Sequence, residues 1–232
     1  MKNVLVFGGS GQIGSTIVEK FISKSWNTLS VGRKKIISES YLSWDPFQVM
    51  PTKDFEKLSQ FGVFDAVCWS QGMNLSDNIF NYKKDLHEDI YRANVLYILE
   101  SLKFLINSNL LNKPAKFCVI SSIWQDLSKE NKLSYSISKA ALKGLVLSLS
   151  NDMAEDGHLI NAVLPGVIDS PMTNANLSST QISNVRNASK FKRLASLKDV
   201  ANSVYSLCSE ENTGITGNFV KIDLGFSNVR NI

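Results

Sequence analysis

The first fourteen residues leave this chain few folds to choose from. An apolar run, Asn3–Phe7, reads as a strand and passes directly into Gly8-Gly9-Ser10-Gly11-Gln12-Ile13-Gly14. A helical stretch, Ile13–Ser25, follows, and then a second β-like run, Thr28–Val31. Strand, glycine-rich turn, helix and strand in that order form a βαβ unit, and a βαβ crossover requires parallel strands.

The remaining chain keeps the same alternation. Further strands are expected over Tyr41–Trp44, Asp65–Trp69, Lys116–Ile120, Ile160–Leu164 and Phe219–Ile222. Helices are expected over Thr52–Gln60, Leu86–Leu111, Ser134–Ala154 and Leu197–Ser209. Short apolar strands alternating with helices make an α/β protein. No linker, repeat or low-complexity boundary interrupts the 232 residues. The expectation is therefore one domain, residues 1–232, built as a Rossmann-like doubly wound parallel sheet with helices on both faces.

Two helical stretches are apolar on most sides. One carries Val95, Leu96, Ile98, Leu99, Leu102, Phe104, Leu105 and Ile106; the other carries Leu142, Leu145, Val146, Leu147 and Leu149. The sheet covers one face of such a helix, and the other face needs a second cover. A symmetry mate supplies it in a homodimer or homotetramer; loops of the same chain are the alternative.

Charge excludes some functions. The net charge of +4 comes from lysines and arginines interleaved with acids, so no nucleic-acid footprint is expected. No apolar run reaches the roughly 18 residues of a membrane span. Cys68, Cys118 and Cys208 are far apart in sequence, and two of them lie in apolar runs. Buried free thiols in a reducing, cytoplasmic setting are expected. With His87 and His158 the only histidines, no metal site is expected.

Glycines between a strand and a helix bring the backbone close to a pyrophosphate. The helix N-terminus then offers it unpaired N–H groups. Gly8, Ser10, Gly11, Gln12, Ile13 and Gly14 are therefore assigned to a dinucleotide cofactor. An NAD site usually places an acid after the second strand. Here that strand ends in Gly32-Arg33-Lys34-Lys35. A guanidinium suits a 2′-phosphate, so Arg33, assisted by Lys34, points to NADP(H).

Tyr135 and Lys139 stand four residues apart at the start of a helix, and Ser122 lies thirteen residues before the tyrosine. The spacing puts phenol and ammonium on one helix face. Reduction of a carbonyl builds negative charge on its oxygen, which needs a proton. A free phenol titrates near about 10, and a neighbouring ammonium is expected to lower that value. The Ser122 hydroxyl would polarise the carbonyl.

Glycine turn, serine, tyrosine and lysine in this order resemble the short-chain dehydrogenase/reductase family, in its compact single-domain branch, over nearly the whole length. The resemblance implies further roles. Asp45 would lie near the adenine, and Ser70-Gln71-Gly72 would stand where the family usually has Asn-Ala-Gly. Asn94 would complete a catalytic set with Ser122, Tyr135 and Lys139, holding a water that joins Lys139 to solvent. Tyr135 and Lys139 would also touch the cofactor, and Lys139 would bond the nicotinamide ribose. Pro165, Gly166, Ile168, Ser170 and Met172 would cover the nicotinamide. Asn74, Trp124 and Val167 would line a substrate pocket, with Met73, Ile123, the loop Asp126–Leu133 and a mobile polar lid over Met172–Arg193. Two departures stand out: Gln12 replaces the middle glycine of that branch, and Gln71 replaces its alanine. The expected activity is NADP(H)-dependent interconversion of a carbonyl and an alcohol on a small polar substrate. The alternative is a non-catalytic NADP(H)-binding redox sensor.

Overall fold

Parallel strands buried on both faces read as near-continuous apolar runs, and the sheet of this protein follows that rule apart from a few buried polar positions such as Thr28, Ser30 and Asn161. The structure is a computed structural model and describes residues 1–33, 36 and 38–228, without the side chains of Met172 and Asn176. Its order is β1 (Asn3–Phe7), α1 (Gln12–Ile22), β2 (Asn27–Gly32), β3 (Tyr41–Ser43), α2 (Thr52–Gln60), β4 (Phe64–Trp69) and α3 (Lys84–Tyr91). A π turn (Arg92–Leu96) leads into α4 (Tyr97–Asn107) and β5 (Leu111–Ile120). A 3-10 turn (Ile123–Gln125), α5 (Leu133–Asp152), β6 (Leu159–Pro165), β7 (Ile168–Asp169), α6 (Pro171–Asn176) and α7 (Ser179–Ala188) follow. The chain closes with β8 (Ala195–Ser196), α8 (Leu197–Cys208) and β9 (Phe219–Ile222).

Seven strands form one sheet in the order β3-β2-β1-β4-β5-β6-β9, every pair parallel. Successive side chains point to opposite faces, and both faces are covered. Val4, Val6, Cys68, Cys118 and Val163 pack with Ile17 and Phe21 of α1 and Val200 and Val204 of α8. Leu5, Phe7, Val67, Trp69 and Phe117 face the other way, onto Leu102 and Leu105 of α4 and Leu142 and Val146 of α5. The rings of Phe7, Trp69 and Phe117 stack side by side across β1, β4 and β5, at 5.8 and 6.0 Å. The Trp69 Nε1 proton goes to Ser101 Oγ of α4 at 2.9 Å, which lets the indole stay buried.

The strand order reverses between β1 and β4. Chains leaving those two strands travel in opposite directions, and a crevice opens at their C-terminal ends. All seven expected strands are present. The expected helix Leu86–Leu111 is helical without a gap from Lys84 to Asn107, as α3, the π turn and α4; it ends four residues early, and Leu111 already belongs to β5. The segment after Met172, expected as a mobile lid, carries two helices. Ser170 caps α6, with Pro171 in its first turn, and Ser178 and Gln181 form a capping box on α7. Caps of this kind satisfy N–H groups that a serine- and asparagine-rich stretch would otherwise leave to water.

The three cysteines are free and buried, as expected. Although distant in sequence they meet in one core, with the Cys68 and Cys208 sulfurs 3.9 Å apart. Among the described residues no cluster fit for a metal occurs, and no helix is long and apolar enough to cross a membrane.

Candidate active site and cofactor cleft

The crevice above β1 and β4 is a cleft of about 990 Å³. Its cofactor end is built by backbone. Gly8 has a φ of +76° and donates to Val31 O, while Gly11 N–H returns to Gly8 O at 2.9 Å. A Cβ on Gly14 would lie 2.1 Å from Gly8 O, so the turn closes only around glycine. Helix α1 begins at Gln12 with Gly11 as its cap, no side-chain capping bond and no acid in its first turn. Its free N–H groups therefore face the cleft as an anion site. Gln12, in place of the family's middle glycine, is helical and needs no unusual backbone.

All the cofactor residues expected from the glycine turn line the cleft: Gly8, Ser10, Gly11, Gln12, Ile13 and Gly14. Arg33, Asp45, Ser70, Gln71 and Gly72 line it as well, as do Pro165, Gly166, Ile168 and Ser170. Lys34 and the side chain of Met172 lie outside the described residues. Ser70 secures the floor, its hydroxyl donating to Phe7 O at 2.7 Å. The Gln71 side chain has both its amide nitrogen and its oxygen buried without a partner among the described residues. An orphaned buried amide costs free energy unless something bonds it, so this wall suits a ligand rich in polar groups. A glycine cradle closed to any side chain, free helix N–H groups and the Gln71 amide together fit a dinucleotide.

The chemistry end is built by side chains. Ser122 leaves β5 in extended conformation and caps the 3-10 turn, accepting from Trp124 N at 3.3 Å. Burial pushes the Tyr135 phenol above its ordinary value, and the nearby Ser122 hydroxyl pulls it partly back. This differs from the expectation that Lys139 lowers it. The reason is geometric: the Lys139 ammonium sits 5.7 Å from the tyrosine ring centre and donates to Ile120 O at 3.0 Å. Lys139 is itself almost fully buried, and desolvation brings its amine down to about 8.

Asn94 does not line the cleft. It occupies the π turn and is 1% exposed. Its Oδ1 accepts from Met73 N at 2.7 Å, and its Nδ2 donates to Met73 O at 3.0 Å and Ser138 Oγ at 2.9 Å. Both ends of the amide are engaged, so the side chain anchors Met73. The π turn, where Tyr97 N–H reaches back to Arg92 O, lets the helix turn this amide inward; such turns are frequent at functional sites.

Asn74, Trp124 and Val167 line the substrate end, with Met73. Ile123 does not, being fully buried in the core. Thr173 of α6, Leu177 between the helices and Gln181 of α7 reach the cleft, and Lys129, Glu130, Asn131 and Lys132 reach it from the loop before α5. Lys129 and Lys132 lie over the rings of Trp124 and Tyr135, each at 5.7 Å. Arg92 and Phe47 also line the cleft, the guanidinium 3.9 Å from the ring centre. Sequence reasoning missed that pair, since 45 positions separate its members and no motif joins them.

Comparison with known proteins agrees with this geometry. The family model described as enoyl-(acyl carrier protein) reductase matches residues 55–227. A 3-oxoacyl-[acyl-carrier-protein] reductase of Buchnera aphidicola is 27% identical over 96% of this chain and 86% of its own length. The aldohexose dehydrogenase of Thermoplasma acidophilum superposes with a TM-score of 0.87 at 22% identity, covering 100% of this chain and 96% of that one. ElxO with NADP bound superposes at 0.81 with 23% identity, covering 98% and 99%. With most of its length inside that family model and the same sheet as these enzymes, the chain belongs to the short-chain dehydrogenase/reductase family of oxidoreductases.

Proposed function

We propose that this protein is an NADP(H)-dependent reductase of carbonyl groups, working in the cytoplasm as a homodimer or homotetramer. The observation that carries the reading is the convergence of Ser122, Tyr135 and Lys139 at one end of a cleft whose other end is the glycine turn. NADPH would be held by the turn Gly8–Gly14, by Arg33 at the 2′-phosphate and by Lys139 at the ribose; when bound it supplies hydride. The protein's own part is to manage charge on the substrate oxygen. Ser122 donates to that oxygen and holds it beside the phenol. Tyr135, kept protonated by burial, delivers a proton to it. Lys139, held by Ile120 O, keeps a positive charge within the same dry pocket and would meet the cofactor ribose.

The walls bear on the substrate. Asn74, Asn131, Lys132, Thr173 and Gln181 are polar, and the larger apolar group among them is Trp124. This favours a small polar carbonyl over a long acyl chain. The relatives named as 3-oxoacyl-[acyl-carrier-protein] reductase and aldohexose dehydrogenase mark the two alternatives to compare. The test is NADPH oxidation against sugar-derived carbonyls, 3-oxoacyl thioesters and enoyl thioesters. Turnover of carbonyls is expected; binding of NADPH with no turnover of any of them would favour the redox sensor.

The homodimer rests on Leu96, Leu99 and Ile106 of the π turn and α4, and Leu147 of α5, which are 39–48% exposed on the outer faces. Gly144 of α5 has open space where a side chain would be, so a second helix could approach it closely. Light scattering of the wild type is expected to give a dimer or larger. Leu147→Glu should shift it towards monomer; a monomeric wild type at micromolar concentration would remove this part of the proposal.

A further inference from the structure

The segment Met73–Asp77 leaves the cofactor floor and crosses the N-terminal end of α5, the helix that carries Tyr135. It is tied to that helix at two points. At one end Asn94 clasps the backbone of Met73 and donates to Ser138 Oγ. At the other end the Asp77 carboxylate accepts from Ser134 N at 3.0 Å and from the Ser134 hydroxyl. Ser134 and Ser138 are one helical turn apart, and Tyr135 and Lys139 are their immediate neighbours in the chain. A Cβ on Gly72 would lie 3.1 Å from Asn94 Oδ1 and 3.8 Å from Lys139 Nζ, so the strap begins at the reacting groups.

Asp77 is 5% exposed and Ser134 fully buried. Helix α5 has no capping bond from the residue that precedes it, Lys132. The carboxylate of Asp77, 57 positions before Ser134, takes that place. It meets a free N–H and the positive end of the helix dipole. The neighbouring chain is held in the same way: Asp77 N donates to Asn131 O and Leu133 N donates to Asp77 O, both at 3.2 Å. The Lys132 ammonium reaches Asn74 Oδ1 at 2.7 Å and Leu75 O at 3.0 Å. The Ser134 hydroxyl has one proton, and it goes to Asp77. His87 Nδ1, 2.9 Å from the same oxygen, is therefore the donor in that contact.

From this geometry we infer that Asp77 is a positioning residue: by capping α5 from the cofactor floor it fixes where Tyr135 stands relative to Gly72 and Ser122. The inference rests on the reading of Tyr135 as proton donor. Asp77 touches neither cofactor nor substrate in it; it acts through Ser134. Displacement of a reacting group by an ångström costs as much as ~10²-fold in rate, so a loosened cap is felt in turnover first.

The experiment uses the full chain and four variants: Asp77→Ala, Asp77→Asn, Ser134→Ala and the Asp77→Ala/Ser134→Ala pair. NADPH affinity is read by fluorescence titration, kcat and KM with a carbonyl that the wild type reduces, and amide hydrogen exchange by mass spectrometry. Asp77→Ala and Ser134→Ala should lower kcat about 10-fold or more while NADPH affinity stays within about twofold. The pair should be no worse than the poorer single variant, since both remove one contact. Asp77→Asn keeps one acceptor for Ser134 N–H and should recover part of kcat. Exchange should quicken in the first turn of α5 and not in α1. Unchanged kcat or unchanged α5 exchange in Asp77→Ala overturns the inference. So does an equal fall in kcat, NADPH affinity and melting temperature, which is the mark of a merely structural residue. If the wild type reduces no carbonyl, the functional reading fails by itself, and α5 exchange still decides whether Asp77 holds the helix.

Discussion

The two ends of the cleft are made of different materials. At the cofactor end, backbone forms the site: Gly8 and Gly14 shape a turn that admits no Cβ at either position, and α1 points bare N–H groups into it. At the chemistry end, side chains form the site, and each depends on a partner far away in sequence. Ser122 meets Tyr135, Lys139 is held by Ile120, and Ser134 is capped by Asp77. A backbone site tolerates exchange of most side chains around it but no Cβ within it. A side-chain site should fail when one partner is shortened.

The sharpest way to break that contrast is Tyr135→Phe. The ring stays and one hydroxyl goes, so NADPH affinity should hold while turnover falls by at least ~10²-fold. Parallel titration and steady-state kinetics check it, and near-normal turnover in the folded variant would remove Tyr135 as the acid. Arg33→Ala removes the charged side chain assigned to the 2′-phosphate. A lost charge-assisted hydrogen bond of about 1.5–3 kcal/mol should weaken NADPH roughly 10- to 150-fold and leave NADH nearly unaffected. Equal losses for both nucleotides would make the arginine structural.

A third test uses pH. Burial lowers the Lys139 amine to about 8 from 10.5. Its charge is present below that value and lost above it, so kcat/KM for reduction should fall about tenfold per unit above roughly pH 8. Folding should respond with the opposite sign. Between about 8 and 10.5 the unfolded chain holds the extra proton, so stability from this group rises with pH across that window. A pH–rate profile and denaturant melts at several pH values measure the two effects separately. The smallest effect is expected from Ser178→Ala, which opens the capping box of α7. At about 1 kcal/mol for a lost cap, the carbonyl KM should rise about fivefold at most and NADPH affinity should not change. A change in NADPH affinity would mean that α7 serves both ends of the cleft.

The same contrast decides what could be read before the structure. Strand, turn and helix are local, so the seven strands and the glycine turn were legible from apolar runs and glycine spacing alone. Tyr135 and Lys139 share one helix face and were legible for the same reason. The π turn at Asn94 was not, because Val95, Ile98 and Leu102 continue the apolar stripe across it. Helices α6 and α7 are short and polar, and only Ser170-Pro171 and the Ser178-to-Gln181 spacing announce them. Asp77 left no local trace, since its partner stands on another element.

One feature of the core has a practical use. Cys68 and Cys118 lie on adjacent strands at 0% exposure, beneath α8. A thiol reagent reaches them only when that helix and the sheet part, so the rate of labelling in dilute reagent reports how often the closed molecule opens. Each molecule thus carries a gauge of its own breathing. A nucleotide that binds only the folded chain should slow labelling in proportion to its occupancy, with no substrate required.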